Sequence, residues 1–223
     1  FWGAAYDFSH GQGKMIGDGP QRYVQMRADF TSGITASSEL DYVQFAVSIP
    51  PVASQALAEI NPSQVTPGQI TKFTYSLLPQ MQKDDLGFDS IGIDTPSKAQ
   101  SIDEVRISGI AVNFDVVSHE DEGFIVRIPR IDVQRTEELI EVDFQAEVFQ
   151  FGTVFSGRLF ESGYPAEVPQ SITAGNASAL VESDRLNVAL TRFADNTIQS
   201  LSIQSPVCTP NGDGINDFVQ INY

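Results

Sequence analysis

Along residues 23–30, Val24, Met26, Ala28 and Phe30 alternate with Gln25, Arg27 and Asp29. A period of two puts one set on each face of an extended chain, so the run predicts a half-buried strand. A turn follows at Ser32-Gly33, and residues 40–49 predict a second strand, stopped by Pro50-Pro51. Upstream, five glycines and Pro20 break up residues 1–20, which predict loop. The Ala-rich stretch 52–60 reads as a linker strand ended by Asn61-Pro62.

From there the spacing becomes regular. Residues 70–77 alternate after the turn Thr66-Pro67-Gly68, and residues 88–93 predict a short strand ahead of Thr95-Pro96. Residues 105–117 carry two apolar sets, Val105 and Ile107, then Ile110, Val112, Phe114 and Val116. Gly109 between them shifts the phase and predicts a bulge. Residues 119–123 read as a turn, residues 124–128 as a strand ending at Pro129, and residues 139–151 as one long strand. In the last, Ile140, Val142, Phe144, Ala146 and Val148 face inward, with Glu141, Asp143, Gln145 and Glu147 in solvent. Val154-Phe155 and Leu159-Phe160 continue the pattern.

No amphipathic helix of useful length interrupts this series. Seven or so strands between residues 61 and 190, with turn signals every 8–12 residues, predict an all-β, Ig-like β-sandwich with flanking partial β-modules. The organisation that follows is a late part of a preceding β-rich module over 1–51, a linker at 52–60, the sandwich over 61–190, and the start of a truncated terminal module over 191–223. The chain opens on Phe1 and closes inside the strand-like run 218–223, so both ends read as cut edges of a longer polypeptide.

Composition narrows the function. Of 223 residues, 41% are hydrophobic and 19% charged, a globular balance. Thirteen basic against 29 acidic residues give a net charge of -16, a surface that repels phosphate backbones, so nucleic acid is excluded as a partner. No apolar run of about 18 residues is present to form a transmembrane segment. The single cysteine, Cys208, cannot form an intrachain disulfide. A cysteine-poor β-protein of this kind fits a bacterial extracellular setting.

The most specific local signal is the run 205–218, Ser-Pro-Val-Cys-Thr-Pro-Asn-Gly-Asp-Gly-Ile-Asn-Asp-Phe. Asn211-Gly212 and Asp213-Gly214 are both strong turn dipeptides. Asn211, Asp213, Asn216 and Asp217 also bring together hard oxygen donors of the kind Ca²⁺ prefers, although the spacing is not that of an EF-hand. Two readings stay open: Asx side chains capping a tight turn, or a calcium site on those four residues. The run resembles the opening of Ig-like modules at the ends of bacterial secreted and surface proteins. These include the C-terminal sorting domains of gliding-motility proteins and the Ig-like domain of the flagellar hook-capping protein. The resemblance covers about 19 residues and implies an exported, multidomain bacterial protein.

Other candidate chemistry is sparse. Residues 119–122, His-Glu-Asp-Glu, read as a solvated hairpin turn, because one His without spaced partners does not close a tetrahedral metal site. Two His and one Cys leave few nucleophile–base pairs, so no enzyme is expected. Trp2, Tyr6 and Phe8 offer a packing surface or a stacking platform for carbohydrate. The expected function is therefore that of a spacer, stalk or adhesive fragment, extracellular or on the bacterial cell surface, whose partners are neighbouring domains or like subunits. The alternatives are a subunit of a filament built by β-strand addition and a carbohydrate-binding module.

Overall fold

The computed structural model describes residues 20, 23–30, 33, 39–45, 47, 49–165, 167–181, 183–191, 202–204 and 220–222. Among them the chain is an all-β sandwich with no α-helix.

The first sheet is built from β1 (Gln55–Asn61), β3 (Thr71–Gln80), β5 (Ser101–Ile107), β6 (Ile110–Ala111), β9 (Ile140–Ala146) and β13 (Thr173–Ala174), in the order β13-β1-β3-β9-β5-β6. The second contains β4 (Phe88–Asp94), β7 (Asp115–Glu120), β8 (Gly123–Ile131), β11 (Gly157–Phe160) and β12 (Gln170–Ser171), in the order β12-β11-β4-β8-β7. A small third sheet joins β2 (Gln64–Val65), β10 (Thr153–Val154) and β14 (Asn187–Leu190). A separate ribbon pairs β15 (Ser202–Gln204) with β16 (Gln220–Asn222).

Cross-strand registers explain the core. Tyr75, Val142 and Val105 pair across β3, β9 and β5, and Leu77, Ile140 and Ile107 form the next row. All six are buried. The facing sheet answers with Ile91 paired to Val126 and Leu159, and Ile93 paired to Phe124. Between the sheets Phe144 packs on Phe73, Phe124 and Phe155 at centroid distances of 5.7, 5.1 and 5.9 Å. Large rings at alternate positions fill the inter-sheet space of a sandwich with few polar atoms.

Several sequence expectations are corrected. Residues 23–30, and the described residues between 39 and 49, form no strand and are exposed. Their alternation shows which faces they would bury but supplies no neighbour to accept their backbone hydrogen bonds. Residues 52–60 are not a linker: β1 lies inside the first sheet and pairs with β3 over seven residues. Gly109 is not a bulge. Ser108 and Gly109, at φ 51° and 76°, form the two-residue turn that joins β5 to β6. Positive φ at both positions suits the right-handed strand twist of such hairpins. The chain then crosses to the second sheet, so Ile110 and Val116 are exposed instead of sharing one inward face. The strand expected to stop at Pro129 continues to Ile131 past a bulge opposite Asp89. The long strand at 139–151 ends at Ala146.

Candidate functional site

The four sequence-predicted ligands Asn211, Asp213, Asn216 and Asp217 lie outside the described residues, as do Cys208, His10, Trp2, Tyr6 and Phe8. What the structure adds is the frame of the loop: Gln204 pairs with Gln220, and Ile203 with Ile221, so an antiparallel ribbon closes its base. The hairpin turn expected over 119–122 narrows to Asp121-Glu122, because His119 and Glu120 belong to β7 and pair with Phe124 and Gly123 of β8. His119 is engaged there, its Nε2 lying 2.8 Å from the Ala99 carbonyl oxygen. Among the described residues no three His, Cys, Asp or Glu side chains group to hold a metal ion.

Two buried carboxylates that the sequence reading missed organise the molecule. Asp143 was expected in solvent, yet its side chain is only 3% exposed. It does point to the outer face of the first sheet, but neighbouring side chains lie over it. Thr74, directly opposite on β3, donates to Oδ1 at 2.8 Å. Lys72, one diagonal step away, reaches Oδ2 at 2.8 Å. From β5, Arg106 donates to both oxygens at 2.8 and 3.1 Å, and also bonds Glu141 and Glu104. One carboxylate thereby joins three adjacent strands. Burial works against its charge, but the hydrogen bonds from Arg106, Lys72 and Thr74 win and hold the carboxyl at about 2. The hydrogen bond to Asp143 and its charge raise Lys72 in turn, and hydrogen bonding to Asp143 raises Arg106. Both partners are thus favoured in their charged forms, as an ionic clasp requires.

The second is Glu59 on β1, fully buried. Its carboxylate accepts from the backbone N–H groups of Ala177, Ser178 and Asp184 at 3.1, 2.6 and 3.0 Å. Ser183 adds a hydroxyl bond to the Ile60 carbonyl. The signal for Glu59 was present in the sequence, as one acid inside the run Ala56-Leu57-Ala58-Glu59-Ile60. An acid in such a setting needs donors, and here they come from the backbone of a loop more than a hundred residues away.

On the second sheet, similar ties pin the segment after β11. Asp89 accepts from the Ser162 backbone and hydroxyl and from Ser90; although burial opposes it, these bonds and the nearby Arg127 charge hold its carboxyl below the usual range. Arg130 pairs with Glu161, and Arg158 with Asp94. The segment helps line a groove of about 310 Å³, whose other lining residues include Val117, Ile125 and Phe160, with Arg127, Glu161 and Glu167 as its charged members. A shallower polar cleft of about 380 Å³ lies along residues 64–72 and Thr191. No helix among the described residues is long and apolar enough to cross a membrane.

No family model matches the chain, and no curated protein matches it. Among solved structures it is similar to the N-terminal domain of the Streptococcus gordonii adhesin Sgo0707, at 9% sequence identity and a TM-score of 0.41. That match covers 62% of this chain and 33% of the other, so the chain spans about a third of the structure it resembles.

Proposed function

We propose that this chain is a load-carrying spacer of a secreted or surface-attached bacterial protein, acting by mechanics and not by catalysis. The observation that carries the reading is the way the beginning and end of the sandwich are paired. β1 runs parallel to β13, and β2 runs parallel to β14. Tension between the entering and leaving chain therefore slides these strands along each other. Their hydrogen bonds lie across the pull, so they share the load instead of opening one at a time.

Further links reinforce this seam. Backbone bonds run from Ile60 to Arg185, Gly175 to Ala58, Ala189 to Ser63 and Thr191 to Val65. The three bonds to Glu59 stitch the same two segments. On the neighbouring strands the Asp143 clasp resists sliding of β3, β9 and β5. A tandem array of the sandwich stretched by its ends is expected to give separate, single-step unfolding events. Each should release the chain of residues 52–191 at about 3.5 Å per residue. Gradual extension at low force, without such steps, contradicts the reading.

A further inference from the structure

We infer that β7 is an edge shaped to pair antiparallel with the β7 of a second copy, and that Asp115 and Glu120 keep this edge closed at neutral pH. β6, β12 and β13, and the edge strands β2 and β10 of the small sheet, have two residues each, too short to template another strand. β7 has six, pairs only with β8, and leaves Val116 and Val117 about half exposed. It is the one sheet edge longer than three residues among the described residues. An edge in this state templates another strand unless something blocks it.

The occupant follows from the faces of β7. Val116 and His119 lie opposite Val126 and Phe124, both buried, so they point inward. Asp115 and Ser118 lie opposite Arg127 and Ile125, which line the outer groove. Val117 has no partner on β8 and lines the same groove, as the extra residue of a bulge. Glu120 follows an inward residue and points outward. From Asp115 to Glu120 the faces therefore run out, in, out, out, in, out. That order is the same read from either end. An antiparallel copy with Asp115 set against Glu120 keeps all six side chains on their faces and joins two five-stranded sheets into one. A slip of one residue sets outward positions against inward ones. The bulge that breaks the alternation is what makes the strand match its own copy.

The same register closes the edge. It brings Asp115 of each copy against Glu120 of the other, twice, and like charges directly opposite destabilise a strand pair. Neither acid makes an ion pair among the described residues; Glu120 lies 3.5 Å from the Ser118 hydroxyl. Asp115 faces Arg127 across the β7–β8 ladder, a charge that also acts on Asp89. Glu120 faces Gly123, which has no side chain, so it is the half of the lock that can be changed without disturbing β8. The net charge of -16 on each copy acts in the same direction.

The inference is independent of the load-bearing reading, and so is its test. The mass of the full chain is followed at neutral pH by sedimentation and light scattering, up to on the order of 100 µM and at about 0.15 M salt. The parent should run at the 24.3 kDa chain mass. Glu120→Lys turns both opposed pairs into attractive ones. It should run as a dimer, its association at least about tenfold stronger than the parent's, with the backbone N–H groups of β7 slowed in hydrogen exchange. Glu122→Lys changes the net charge equally but lies in the turn, outside the register, and should stay a monomer. Asp115→Lys added to Glu120→Lys restores like charges and should return the monomer. A parent already dimeric, a Glu120→Lys chain that stays monomeric, or a dimer in either of the other two chains overturns the inference. None of these results bears on whether the sandwich resists force.

Discussion

Replacing Asp143 by Asn keeps its shape and removes its charge. The folded carboxyl sits at about 2, against an ordinary value of about 3.9. Each pH unit between the two is worth about 1.4 kcal/mol, so the clasp contributes about 2.5 kcal/mol at neutral pH. The sign follows from the direction. A carboxyl held low in the folded state binds protons more weakly there than in the unfolded chain. Its contribution is complete above about pH 5 and disappears as pH falls toward 2. Arg106 retains Glu141 and Glu104 in the variant, so its charge is not stranded and the loss stays below the 3–5 kcal/mol of a fully broken buried pair. Urea unfolding of Asp143→Asn and the parent should differ by about 2–3 kcal/mol at pH 7 and by under about 1 kcal/mol at pH 2.5. A difference below about 1 kcal/mol at pH 7, or one that stays constant down to pH 2.5, refutes the clasp.

Phe144→Ala removes the ring shared by Phe73, Phe124 and Phe155 and should cost about 3–5 kcal/mol in the same unfolding assay. Gly157→Ala should be strongly destabilising, because a Cβ there overlaps the hydroxyl of Tyr75. Tyr75→Phe should recover part of that loss and cost little alone, since the buried hydroxyl has no hydrogen-bond partner among the described residues. For the loop over 209–217, the turn reading predicts that a chain extended through the terminal module melts at one temperature with Ca²⁺ or with chelator. A midpoint raised by Ca²⁺ and restored to the chelator value in Asp213→Ala would instead assign a calcium site to Asn211, Asp213, Asn216 and Asp217.

The inward rows of the core were legible because strand alternation reports burial directly: Phe73, Tyr75, Leu77, Val142 and Phe144 all lie where their spacing put them. What the pattern lacks is the identity of the neighbour. Residues 23–30 alternate as well as β3 does, yet they pair with no strand among the described residues, while the plainer run at 55–61 enters the main sheet. Alternation also treats every outward acid alike. Asp143 is buried because Lys72, Thr74 and Arg106 converge on it from strands up to 71 residues away, a register that no local window contains. Glu59 differs, since an acid inside an apolar run announces a need for donors even though it does not name them. The parallel seam was invisible for a simpler reason: two-residue strands such as β2 and β13 carry no periodicity.

The claim that the molecule carries load rests on that seam, and the direction of pull tests it most directly. One single-molecule preparation is stretched through residues 52 and 191, which shears the β1–β13 and β2–β14 pairs. A second is stretched through residues 115 and 127, which pair at the open end of the β7–β8 hairpin, so that its antiparallel ladder opens one rung at a time. The account predicts a clearly higher unfolding force for the first, reduced by Glu59→Gln, with little change from that substitution in the second. Equal forces in the two directions, or a first direction that yields more easily, would contradict it.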